Sequence, residues 1–342
     1  MEQKNYKKHF ALLFLLLLIL FLTNISLGSV NIPFKEILKT LSGRIATKES
    51  WEIIILNFRL PKAITAILVG SGLSVAGLLM QTLFRNPLAG PFVLGVSSGA
   101  SLGVALFILG TSLFGGFLLT DVFSSWSIPI ASSFGAFLVL SAVILASYRV
   151  KNTMSILIIG LMFGNFTAAI IAVLAYFSPA EQIQQYIFWS FGSLGNLSWS
   201  ELSIFSSIYT IALLATLFIT KPLNSFLLGE NYAKSLGINI KKNKNIILLI
   251  TCVLTGVITA FAGPIAFIGL AVPHIARLVF TTSNHKILIP AVVILGAIIL
   301  LICDTIAQLP ANEFTLPINA ITSLFGAPIV IWLLLRKKKL YI

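Results

Sequence analysis

An uncharged run, Ala63 to Leu83, ends in a segment that cannot stay helical: Arg85-Asn86-Pro87-Leu88-Ala89-Gly90-Pro91. Each proline removes a backbone donor and clashes with the preceding turn. A further apolar run begins at Phe92. Broken backbone at membrane depth survives only where protein or a water-filled path shelters it. The pattern therefore predicts a membrane helix that abuts a transport pathway.

Composition fixes the solvent. Only 10% of the 342 residues are charged and 58% are hydrophobic, whereas a soluble domain carries about 25% charge. At about 20 residues per helix, the length suits ten spans with short loops and no large soluble domain. The fold class is therefore all-α and polytopic. Lys4, Lys7 and Lys8 before the run Phe10 to Leu22 resemble the start of a signal peptide, but Ser26-Leu27-Gly28 is a poor cleavage site, so the run is expected to be an uncleaved first span.

Ten apolar segments lie near 10–28, 62–83, 92–110, 127–147, 154–176, 202–219, 245–262, 264–280, 287–306 and 317–335. Ala262-Gly263-Pro264 separates the seventh from the eighth, and Pro273 is expected to interrupt the eighth before Arg277. An even number of spans places both termini on one side. If that side is the cytoplasm, its segments carry 17 of the 23 basic residues, among them Lys4, Arg85, Lys151, Lys221, Lys286 and Arg336 to Lys339. The other six, Lys35, Lys39, Arg44, Lys48, Arg59 and Lys62, lie in or beside the first external loop, while later external loops carry Asp121, Glu181, Glu201, Asp304 and Glu313. This is the positive-inside bias with one basic exception. It accounts for the +13 net charge without a nucleic-acid partner and suits contact with anionic lipid. Small residues recur at helical spacing: Gly95, Gly99 and Gly103; Gly160 and Gly164; Gly70 and Ser74. Such faces are expected to pack helices closely.

Catalytic signals are missing from the sequence. No Gly-Lys pair occurs, so no P-loop can form, and no HExxH pattern is present. Cys252 and Cys303 sit singly in apolar runs and read as small buried hydrophobes rather than metal ligands. Asp304 is the one acidic residue near the depth of a span and is expected to be satisfied at a helix end. With so few internal charges to titrate, the energy for transport is expected to come from another chain. The segment Lys221-Pro222-Leu223-Asn224-Ser225 to Leu236-Gly237 offers a seat for that chain. Asn224 or Ser225 can cap a short helix and Gly237 can end one. Phe226, Leu227, Leu228, Tyr232 and Leu236 make the segment apolar, which points to a protein partner.

Several motifs together resemble the FecCD-type ABC permeases. They are Arg59-Leu60-Pro61-Lys62; Met80-Gln81 through Asn86-Pro87-Leu88-Ala89-Gly90-Pro91; Leu94-Gly95-Val96-Ser97-Ser98-Gly99-Ala100; Leu228-Gly229-Glu230 to Leu236-Gly237; Phe261-Ala262-Gly263-Pro264 through Pro273-His274-Ile275-Ala276-Arg277; and Gly326-Ala327-Pro328. The resemblance implies a type II ABC importer permease, a single transmembrane domain over residues 1–342, that moves a ferric siderophore, haem or cobalamin by alternating access. It further implies a homodimer or paired permease in a bacterial inner (plasma) membrane, with both termini cytoplasmic. Two ATP-binding cassette ATPase subunits and an extracytoplasmic substrate-binding protein complete the assembly. The chain itself would bind no cofactor or metal and perform no catalysis, ATP being used by the partner subunits.

By the same resemblance, Arg59 and Lys62 receive acidic residues of the binding protein, and a third basic position of the relatives is Gln308 here. Asn86 and Leu88 form one cytoplasmic gate. Thr153 and Met154 form the other, where a relative has two small hydroxyl residues. The loop 222–240 carries the ATPase-coupling helix, with Leu228, Gly229, Glu230, Ala233, Leu236 and Gly237 at the contact. The competing readings are an ion-coupled secondary carrier for a small organic solute, disfavoured by the scarcity of deep carboxylates, and an intramembrane enzyme, for which no dyad is evident.

Overall fold

The computed structural model describes residues 6–110, 126–150, 153–308 and 315–335. Lys4, Asp121, Lys151, Glu313 and Arg336 to Lys339, which the charge argument uses, lie outside the described residues, as does the side chain of Thr153.

The described residues form helices and no strands. In order they are α1 (Lys7–Ser26), α2 (Phe34–Leu41), α3 (Glu49–Ile53), α4 (Leu60–Phe84), α5 (Val96–Ile108), α6 (Ser127–Arg149), α7 (Thr153–Tyr176), α8 (Ala180–Ser190), α9 (Trp199–Phe218), α10 (Thr220–Leu227), α11 (Glu230–Ser235), α12 (Ile240–Ala262), α13 (Ile268–Phe280), α14 (His285–Ala307) and α15 (Ile318–Leu335). Seven helical stretches are long and apolar enough to cross a membrane, and α5, α13 and α15 are shorter apolar helices. These ten match the ten apolar segments of the sequence.

At the centre stands α4. It is apolar on every side, and a helix of that kind must be buried all round. It packs against α14, α12, α13 and α9, while α5 packs against α6 and α7, and α12 touches both groups. By contrast α1 and α7 leave large apolar side chains exposed, Phe14, Ile19, Met162 and Phe166 among them, as surfaces facing lipid or a second protein do. The chain enters α4 through a π-helical turn, Ile54–Arg59, so the helix begins well before the apolar run.

The small-residue faces pack helices. A β-carbon on Gly70 would sit 2.2 Å from the Gly296 carbonyl oxygen, and one on Gly77 would sit 1.7 Å from that of Gly269. Gly99 and Gly103 meet Gly135 and Ala131 in the same way. Both cysteines are buried and free.

The two predicted breaks occur. α4 ends at Arg85 in the left-handed conformation (φ 48°), and α5 and α13, at 13 residues each, extend only about 20 Å, well short of a hydrocarbon core of about 30 Å. The second break, Gly263 to Phe267, is fastened to α15: Ala266 N–H donates to Asn319 Oδ1 at 3.0 Å, and Phe267 (φ 66°) packs on Gly326. Pro273, however, does not interrupt the eighth segment. It lies inside the continuous helix α13. The carbonyl its missing N–H would have bonded is that of Gly269, which α4 approaches at Gly77. Neighbouring helices make such prolines tolerable in a membrane.

Candidate functional site

The functional residues divide between the two ends of α4. At its N-terminal end, Arg59 donates from Nη1 to the carbonyls of Ile25 and Ser26 at 2.9 and 3.0 Å, and from Nη2 to Val30. The last carbonyls of a helix lack internal partners, so Arg59 caps α1. Lys62 Nζ lies 3.1 Å from Asp304 Oδ1. Asp304 Oδ2 accepts from Asn24 Nδ2 at 2.9 Å and from Gln308 Nε2 at 2.7 Å. The carboxylate of Asp304, near the end of α14, is thus satisfied by the side chains of Lys62, Asn24 and Gln308. Arg59, Lys62 and Gln308 line one cavity of about 430 Å³ together with Phe58 and Gly195. The two positions expected to take part in docking therefore share a cavity with Gln308, although the charged heads of Arg59 and Lys62 also hold internal partners. Nearby, Glu36 accepts the Thr47 N–H at 2.8 Å, and this bond holds its carboxyl below the usual range.

At the C-terminal end of α4, the turn that carries the expected gate residues Asn86 and Leu88 hangs directly on the helix. Arg85 N–H bonds to the Thr82 carbonyl and Asn86 N–H to the Gln81 carbonyl. Asn86 Oδ1 accepts the Leu88 N–H at 2.9 Å, a local turn typical of asparagine, and leaves Leu88 exposed. His274 Nε2 donates to the Pro87 carbonyl at 2.9 Å. Gln81 bridges to α13, donating to the Leu270 carbonyl at 3.2 Å and accepting from Arg277 Nη1 at 2.6 Å. The segment after the turn, Pro91–Leu94, packs on α7 where Gly160 meets the Val93 carbonyl. Met154 projects exposed from the first turn of the same helix. The turn at 86–88 and α7 are thus neighbours.

Beside this end lie α10 and α11. Leu228, Tyr232 and Leu236 are 64%, 49% and 57% exposed; Tyr232 and Leu236, four residues apart, share a face at α11, and Leu228 stands just before that helix. Ala233 is fully buried beneath them, and Glu230 pairs with Lys244 of α12 at 2.8 Å. Phe226, expected in the exposed patch, is instead buried. Gly229 (φ 109°) separates the two short helices, and Gly237 (φ 79°) follows the second as expected. Neither Asn224 nor Ser225 caps a helix, because α10 begins at Thr220. Asn224 Oδ1 instead accepts from the backbone N–H and the Nδ1–H of His285, at 2.9 and 2.8 Å. Sequence reading passed over His285. The available signal was a polar pair, Asn284-His285, opening a strongly apolar span; Asn284 caps α14 by accepting the Lys286 N–H.

The whole architecture has known counterparts. The FecCD transport family model matches residues 16–336. The hemin transport system permease protein of Yersinia pestis is 35% identical over 329 residues, 96% of this chain and 95% of that one. The vitamin B12 import system permease protein of Klebsiella pneumoniae is 33% identical over 339 residues, 99% and 96% of the two chains. A metal-chelate type ABC transporter solved in an inward-facing conformation superposes with a TM-score of 0.83 at 28% identity, covering 96% of this chain and 99% of the other. With ten apolar helices among the described residues, two broken segments and a match along nearly its entire length, the chain belongs to the FecCD transport family.

Proposed function

We propose that this permease imports an iron chelate, haem or cobalamin, working as a dimer with two ATPase subunits and a binding protein. The observation that carries the reading is the exposed patch Leu228, Tyr232 and Leu236, beside the turn that ends α4. An apolar patch on a polar loop suits a protein groove. On this reading residues 222–240 are the coupling segment of a single domain, 1–342, and Leu228, Gly229, Glu230, Ala233, Leu236 and Gly237 seat the ATPase. Asn86, Leu88, Thr153 and Met154 of two copies close the cytoplasmic mouth. The cavity containing Arg59 and Lys62 opens on the opposite, extracytoplasmic side and receives the binding protein. Both termini are then cytoplasmic in a bacterial plasma membrane.

The relatives' cargoes, hemin and vitamin B12, support the substrate class. Against ion-coupled carriage, the two buried carboxylates among the described residues, Glu201 and Asp304, both have hydrogen-bonding partners. The deciding experiment is uptake in proteoliposomes containing the permease and its ATPase, using radiolabelled cobalamin, haem and a panel of ferric siderophores. ATP-dependent accumulation of one of these supports the proposal. Accumulation driven by an ion gradient without ATP overturns it.

A further inference from the structure

His285 joins the coupling segment to the last turn of α4. The orientation of the Asn224 amide is set by the backbone, because its Oδ1 accepts the His285 N–H at 2.9 Å while its Nδ2 donates to Asn284 Oδ1 at 3.1 Å. The same Oδ1 accepts from Nδ1–H of the imidazole at 2.8 Å. In the neutral ring, Nε2 is then an acceptor, and it lies 2.8 Å from the Thr82 hydroxyl, whose single proton it shares with the Leu78 carbonyl at 2.9 Å. His285 and Thr82 are both buried. Thr82 in turn receives the Arg85 N–H on its carbonyl, one residue before Asn86. The Arg85 guanidinium returns toward the coupling segment, so that a β-carbon on Gly229 would lie 3.6 Å from Nη1. One residue before Thr82, Gln81 is held by Leu270 and Arg277 of α13.

The last turn of α4 is thus anchored at Gln81 to α13. At Thr82 it is bonded through a single imidazole to the segment that bears the exposed patch. We infer that the Asn224–His285–Thr82 hydrogen-bond chain is the positioning link through which displacement of the coupling segment moves the gate turn. Buried polar chains of this kind have few alternative arrangements, because an unpaired member is costly in a low-dielectric interior. A shift of Asn224 therefore draws His285, Thr82 and the Arg85–Leu88 turn with it. The inference rests on the proposed role of α10 and α11 as the ATPase seat.

Thr82→Val, which keeps the shape and removes the hydroxyl, tests it in the permease–ATPase complex in proteoliposomes. The variant is expected to retain its ATPase and hydrolyse ATP, but to move about tenfold less substrate per ATP, the scale of one lost buried hydrogen bond. Thr82→Ser should restore the ratio. Asn224→Ala, at the less buried end, should reproduce the loss and add little to Thr82→Val, as members of one chain do. An unchanged ratio in either Thr82→Val or Asn224→Ala overturns the link. So does a loss that Thr82→Ser fails to rescue. Absence of ATPase from the unaltered permease would instead refute the coupling-segment reading itself.

Discussion

Lys62 Nζ sits 3.1 Å from Asp304 Oδ1, tying the start of α4 to the end of α14. The same two helices meet at Gly70 and Gly296 midway and at Thr82 and His285 at the far end. Asp304 is almost fully buried, while Lys62 keeps about a fifth of its side chain in solvent: the side-chain exposures are 3% and 22%. Lys62→Met would strand a buried carboxylate, and breaking such a pair costs at most about 3–5 kcal/mol. The partial exposure of Lys62 lowers that ceiling, and the Asn24 and Gln308 amides lower it further. The Lys62→Met, Asp304→Asn double variant should recover most of the loss. Thermal unfolding in detergent checks the order; a double variant no more stable than Lys62→Met would contradict it.

Close approach of α4 to α13 should be equally sensitive. A Gly77→Ala methyl would fall 1.7 Å from the Gly269 oxygen, which is backbone and cannot rotate away. Overpacking of this kind costs about 1–3 kcal/mol. The variant should lose thermal stability, whereas Gly164→Ala, whose nearest neighbour is the Ser98 hydroxyl at 3.3 Å, should lose much less.

At the coupling segment, Leu228→Asp with Leu236→Asp places charge where an apolar contact is proposed. Burying unpaired charge costs several kcal/mol. The double variant should insert in the membrane normally and lose its ATPase on co-purification. Retention of the ATPase would show that it sits elsewhere.

For the gate, cysteines at 88 or 154 in a background lacking Cys252 and Cys303 should cross-link to the same position of a second copy. Leu88 and Met154 are 43% and 47% exposed. Cross-linking should fall in the nucleotide state that opens the cytoplasmic mouth. No cross-link in any state would remove these residues from the dimer axis.

Docking at Arg59 and Lys62 should be read by its salt dependence. Exposed pairs are worth about 0–1 kcal/mol each, so reversing both charges should slow association with the binding protein more at low salt than at high salt. Since Arg59 also caps α1 and Lys62 pairs with the buried Asp304, stability must be measured in parallel. A salt-independent loss would assign the residues to folding alone.

The sequence by itself determined which stretches lie in lipid and where they break. A run such as Ala63 to Leu83 can only be buried or lipid-facing, and Pro87, Gly90 and Pro91 together disfavour continuing its helix. Those are local properties, carried by each residue and its nearest neighbours. The turn after α4 and the short-helix segment 222–240 were legible for the same reason, while their proposed roles as gate and coupling segment come from the family resemblance. Only the tertiary structure decided that Pro273 stays within a helix, because the carbonyl it leaves unbonded faces a second helix at Gly77. It also decided that Asp304 belongs to Lys62, that Arg59 closes α1, and that Asn224 reaches His285 rather than capping a helix. Each of these joins residues from different helices, and a buried polar group takes whatever partner the crossing of those helices brings within about 3 Å.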